Sequence, residues 1–185
     1  MKAHALIICC TLLLCACRSD TSIDKPSPVT MTTDALGHYC QMDLSEHPGP
    51  KAQIHLEGLP APLFFAQVRD AIAYQRMPEQ SHAIRAIYVS DMAKAESWNN
   101  PGIDNWAPAE DAFYVVDSRM TGGMGAAELV PFGTHESAEK FIQENGGELR
   151  KLDQIPDSMV LAPVEMPVDK DGNFVAPAYS LNAQH

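Results

Sequence analysis

Between residues 37 and 155 the apolar positions fall into short runs whose spacing alternates between strand-like and helix-like. In 52–57, Ile54 and Leu56 alternate with Gln53, His55 and Glu57, the pattern of a strand with one buried face. Residues 38–44 read as a strand before it, joined by the turn His47-Pro48-Gly49-Pro50. Beyond Pro60 and Pro62, the residues Phe64, Val68 and Ile72 recur at helical spacing, and this predicts a helix that stops before Pro78. A β-branched run over 83–90 closes this first set. The second half repeats the order. Strands are expected over 112–117 and 126–132, separated by Thr121-Gly122-Gly123-Met124-Gly125. Thr134 then suits an N-cap with Glu136 in the first turn, Ala138, Phe141 and Ile142 form an apolar face, and Asn145-Gly146-Gly147 ends the helix. A last strand is expected over 148–152. Two β-β-α-β units, an α+β fold with the units at 37–90 and 112–155, are the economical reading.

The remaining segments lack that periodicity. The connection 91–111 carries both tryptophans, Trp98 and Trp106, which predicts an ordered segment packed on the domain. Residues 17–36 are rich in Ser, Thr, Asp and Pro and read as a tether, and the Pro-rich stretch 156–185 reads as a mobile tail.

The N-terminus changes the picture. Lys2 and His4 precede an apolar run, Ala5 to Leu14, that is too short to span a bilayer. It ends in Leu14-Cys15-Ala16-Cys17, which resembles a bacterial lipobox with 1–16 as the signal peptide and Cys17 as the lipidated residue. Such a chain is exported and lipid-anchored, and Arg18 rather than Asp after Cys17 points to the outer membrane. Cys9, Cys10 and Cys15 leave with the signal and the Cys17 thiol is blocked, so Cys40 is the one thiol that remains. With no partner for a disulfide, it is a reactive group, a metal ligand or an inert core residue. Loss of the signal removes one of the thirteen basic residues and none of the 24 acidic ones, and so acidic a chain is unsuited to nucleic acid.

Candidate chemistry centres on sulfur. Cys40 and Met42 would share one face of a strand, about 6.6–7 Å apart along it. Thiolate and thioether are soft donors that favour Cu(I), although two core side chains would show the same spacing. Met124 lies between glycines that expose it, either as a third soft donor or as an incidental member of a glycine-rich turn. His38, His47 and His135 are further donor candidates for Cu(I) or, with Cys40, for zinc; surface or core placement is the plainer reading of each. Met159 and Met166 are candidate auxiliary ligands in the tail. No phosphate loop, dinucleotide fingerprint or HExxH element occurs, and no base and orienting group accompany Cys40 in a catalytic pattern. A thiol-dependent enzyme and a general zinc- or copper-binding lipoprotein stand as alternatives.

Several motifs in order resemble the NosL family of nitrous oxide reductase accessory lipoproteins. They are Tyr39-Cys40-Gln41-Met42, the run His47-Pro48-Gly49-Pro50-Lys51-Ala52-Gln53-Ile54, and Tyr88-Val89-Ser90-Asp91-Met92-Ala93 with Trp98, Pro101-Gly102 and Trp106. Phe113-Tyr114-Val115-Val116-Asp117-Ser118, Gly122-Gly123-Met124-Gly125 and Pro131-Phe132 complete them. The resemblance implies two β-β-α-β units related to the organomercurial lyase MerB. It implies a periplasmic, non-enzymatic Cu(I) chaperone with Cys40, Met42 and Met124 as ligands. It also implies a role in assembling the copper centres of nitrous oxide reductase, with the inner-membrane maturation complex and apo nitrous oxide reductase as partners.

Overall fold

The computed structural model describes residues 25–78, 80, 82–163, 168–173 and 175. The signal segment, Cys17 and Met166 lie outside them. The fold is α+β, with two antiparallel sheets. The first has strand order β2-β1-β3-β4, from β1 (Ala52–Leu56), β2 (Leu63–Phe65), β3 (Ile84–Ser90) and β4 (Trp106–Pro108). The second has order β6-β5-β7, from β5 (Phe113–Val116), β6 (Val130–Phe132) and β7 (Glu148–Arg150). Helix α1 (Val68–Arg76) lies between β2 and β3, and α2 (His135–Asn145) lies between β6 and β7. Each unit is therefore β-β-α-β, and in each the first strand is central, flanked by the second and third.

Period-two alternation divides the interior. On β1, Ala52, Ile54 and Leu56 join Ile87 and Val89 of β3, with Val68, Ala71 and Ile72 of α1, in the main core. Tyr114 and Val116 of β5 reach the same core from the other sheet. The intervening Val115 faces away from it, with Val130, Phe132 and Ala138 under α2. One core thus welds the two units together, and α2 closes a smaller second one.

The first unit is built from different strands than the pattern predicts. Residues 38–44 form a tight loop rather than a strand. Gln41 adopts a left-handed φ of 54°, and its N–H donates to the Gly37 carbonyl (2.9 Å). The Gly37 N–H donates to the Met42 carbonyl (2.9 Å), and Asp43 caps a 3-10 turn over Leu44–Glu46. Phe64 belongs to β2, not to a helix: it pairs with Gln53 of β1, and Gln67, at the N-cap of α1, is still extended. In the second unit β6 and β7 are shorter than expected, and the α2 caps fall where predicted, at Thr134 and Gly146.

The connection 91–111 is ordered, as its tryptophans predict, and the two outer segments are more ordered than their composition suggests. Within 91–111, β4 adds an edge to the first sheet through the pairs Tyr88–Pro108, Val89–Ala107 and Ser90–Trp106. After residue 155, α3 (Asp157–Leu161) packs on α1, with Val160 buried and Arg69 donating to the Met159 and Ala162 carbonyls. Residues 25–36 lie across the polar face of the first sheet. The Gln53 side chain bonds both the N–H and the C=O of Val29 (2.9 Å each), Tyr88 donates to the Pro26 carbonyl (2.8 Å), and Lys25 pairs with Glu110. Met31 and Ala35 then bury against the loop that holds Cys40.

Candidate metal centre

Cys40 sits at the turn of the 37–43 loop, half-buried against Leu44, Ala66, Phe64 and Trp106. Its sulfur lies so close over Gly37 that a Cβ there would collide with it. Met42, two residues on, is 41 % exposed. The strand-face argument for this pair does not apply, because the loop turns between them. Both residues belong to a turn closed by the Gly37–Met42 backbone bond.

Met124 occupies a hairpin tip in which the Gly122 N–H donates to Ala126 and the Gly125 N–H to Gly122 (2.8 Å each). It is 42 % exposed. The tip is pressed onto the turn after the Cys40 loop: a Cβ on Gly123 would fall 2.6 Å from His47 Cβ and 3.0 Å from the Pro48 carbonyl. The Gly123 carbonyl in turn faces His47 Nδ1 at 3.2 Å. A carbonyl only accepts, so in the neutral imidazole the proton resides on Nδ1 and Nε2 presents a lone pair. That Nε2 is buried with no hydrogen-bond partner.

Lys51 ties the same turn from beneath. Its side chain is fully buried, and Nζ donates to the carbonyls of His47 (2.7 Å), Pro48 (3.3 Å) and Gly49 (2.6 Å). Burial pushes the ammonium down to about 8, opposed by electrostatic interaction with the acidic groups nearby, Glu128 foremost. The Met124 hairpin is thus seated on the turn 47–51, which closely follows the Cys40 loop along the chain.

Two more buried polar groups support the hairpin. Glu128 Oε1 accepts the Arg69 N–H (3.0 Å) and the Leu129 N–H (2.9 Å), so a residue of the second unit caps the N-terminus of α1. Burial raises the Glu128 carboxyl to about 8, against those two N–H groups, and Oε2 has no partner. Gln67, at the N-cap position itself, makes no capping bond to its own helix and accepts the Met124 N–H instead (3.0 Å).

The other candidates have different surroundings. His38 stacks among Tyr39, Phe65 and Tyr74, and His135 packs edge-on to Phe113 and faces Glu139. Met159 is partly buried against the main core beside α1. Among the described residues, no group of three or more His, Cys, Asp or Glu side chains is placed to hold a metal ion. Gln67, Lys51 and Glu128 escape sequence reasoning because a polar residue in an apolar run carries no sign that it turns inward.

Comparison with known proteins places the chain in a family. The NosL family model matches residues 28–160. The copper-binding lipoprotein NosL of Achromobacter cycloclastes is 55 % identical over 161 residues, covering 86 % of this chain and 83 % of that one. The copper-binding lipoprotein NosL of Stutzerimonas stutzeri is 26 % identical over 134 residues, covering 72 % and 68 %. The crystal structure of the copper chaperone NosL from Shewanella denitrificans superimposes with a TM-score of 0.65 at 30 % identity, covering 71 % of this chain and 96 % of that one. With residues 28–160 matched by the family model and 55 % identity to one relative over 161 aligned residues, this chain belongs to the NosL family.

Proposed function

We propose that the protein is a lipid-anchored periplasmic copper chaperone. It holds one Cu(I) between Cys40, Met42 and Met124, with His47 Nε2 as the imidazole donor. One observation carries this reading: the hairpin bearing Met124 is fastened to the turn that follows the Cys40 loop, through Gly123 and His47. The His47 arrangement supports it. Metal-binding imidazoles commonly donate their other N–H to a backbone carbonyl, leaving a lone pair that would otherwise be costly to bury.

The donor set suits cargo rather than a resident ion. One thiolate gives soft-ion selectivity, and thioethers bind more weakly. Met42 and Met124 are both about two-fifths exposed, so an acceptor's own ligand can enter before they leave. Copper is passed on unchanged and no turnover chemistry is required. The lipid on Cys17 holds the chain to a membrane. The copper goes to apo nitrous oxide reductase through its maturation complex in the inner membrane.

Anaerobic titration of the mature chain in detergent with Cu(I), against a chromogenic chelator, tests the reading. One equivalent is expected to bind. Tight zinc binding beside no Cu(I) binding would favour the general metal-binding alternative instead. Met124→Ala should weaken Cu(I) about tenfold, roughly 1.4 kcal/mol, as loss of one thioether. Gly123→Ala forces the hairpin off His47 and Pro48 and should cost at least as much, with all the proposed ligands retained. Wild-type affinity in Gly123→Ala would mean that the hairpin contact does not build the site.

A further inference from the structure

We infer that Gln67 is a positioning residue that sets where Met124 stands, an inference that rests on Met124 being a copper ligand. Gln67 is 2 % exposed and precedes α1, where an N-cap side chain ordinarily turns back to bond its own helix. Glu128 of the second unit takes over that task by accepting the Arg69 N–H. The Gln67 amide is thereby released to reach across to the hairpin. Its Nε2 donates to Asp70 Oδ2 (3.1 Å), and its Oε1 accepts the Met124 N–H (3.0 Å).

The orientation of the amide is determined by chemistry. The Met124 N–H can only donate and the Asp70 carboxylate only accepts, so the oxygen faces the hairpin and the nitrogen faces Asp70. The fit is close. A Cβ on Gly122 would fall 2.5 Å from both Gln67 Oε1 and Glu128 Oε2, so the hairpin rests directly on these two oxygens. A ligand on a hairpin tip would otherwise wander, and a misplaced donor loses affinity even when its chemistry is intact. Gln67 fixes the backbone at Met124 from one side while His47 holds Gly123 from the other.

A double-mutant cycle separates positioning from general support. Gln67→Leu, measured by Cu(I) competition on the mature chain in detergent, should weaken binding about three- to tenfold, the range for one lost buried hydrogen bond. In a Met124→Ala background the same change should cost less than about twofold. Equal weakening in both backgrounds, or none in either, overturns the proposal. If Met124→Ala alone binds like wild type, the ligand assignment fails first, and that outcome is distinguishable. Amide exchange in the unaltered protein gives a second measurement that needs no variant. A Met124 amide exchanging as fast as an open-loop amide would overturn the Gln67 bond itself.

Discussion

Cys40→Ser lowers Cu(I) affinity by more than about a hundredfold, beyond the 10–100-fold that changes to outer-shell groups cost. Serine is nearly the same size, so its effect is chemical. A hydroxyl stays protonated at neutral pH and offers a hard oxygen, whereas the thiol supplies the only anionic soft donor in the proposed set. The remaining Met42, Met124 and His47 are neutral and bind a monovalent soft ion weakly. The fold should survive, since Cys40 is half-buried at the edge of a small cluster rather than in the main core. Circular dichroism should therefore match wild type while the chelator competition collapses. Retained affinity in a folded Cys40→Ser protein would sink the proposed site.

Glu128→Gln should flatten the pH dependence of stability. The carboxyl ionises near its ordinary 4.5 in the unfolded chain and near 8 in the fold, where burial disfavours the anion. Between those values the folded state holds a proton that the unfolded state has released. Stability therefore falls as pH rises through the window, and levels off above it. The full contribution is about 3–5 kcal/mol at 1.36 kcal/mol per pH unit. Glutamine keeps an oxygen for the Arg69 and Leu129 N–H groups and cannot ionise. Urea unfolding of both proteins at several pH values between 5 and 8 should give curves that diverge steadily, wild type losing stability relative to the variant. Parallel curves would mean that Glu128 does not carry the extra proton.

Much of the architecture is legible in the sequence because the second unit follows local rules. Thr134 caps α2 with its own hydroxyl, Gly146 ends it, and Val115 and Val130 alternate with their neighbours as strands require. The first unit departs from them at the site. The run 38–44 has the composition of a strand, but Gln41 enters the left-handed region and donates its side-chain amide to the His38 carbonyl (2.7 Å), which bends the chain around Cys40. Residues 25–36 look like a tether because they are polar. They pack because Gln53 mimics a neighbouring strand, offering Val29 both a donor and an acceptor. Cys40, Met42 and Met124 could be picked out as sulfur. The part played by His47, Gln67 and Glu128 depends on contacts between the two units, which no spacing along the chain encodes.

The path of residues 25–36 also bears on how load reaches the sulfur loop. Lys25 pairs with Glu110 and lies over the Tyr88 ring, Tyr88 donates to the Pro26 carbonyl, and Gln53 holds Val29, all before Met31 and Ala35 meet the Cys40 loop. A pull on the N-terminal side of Lys25 is therefore taken up by the first sheet before it reaches Cys40, so tension along the chain leaves the donor loop undisturbed until those bonds give way.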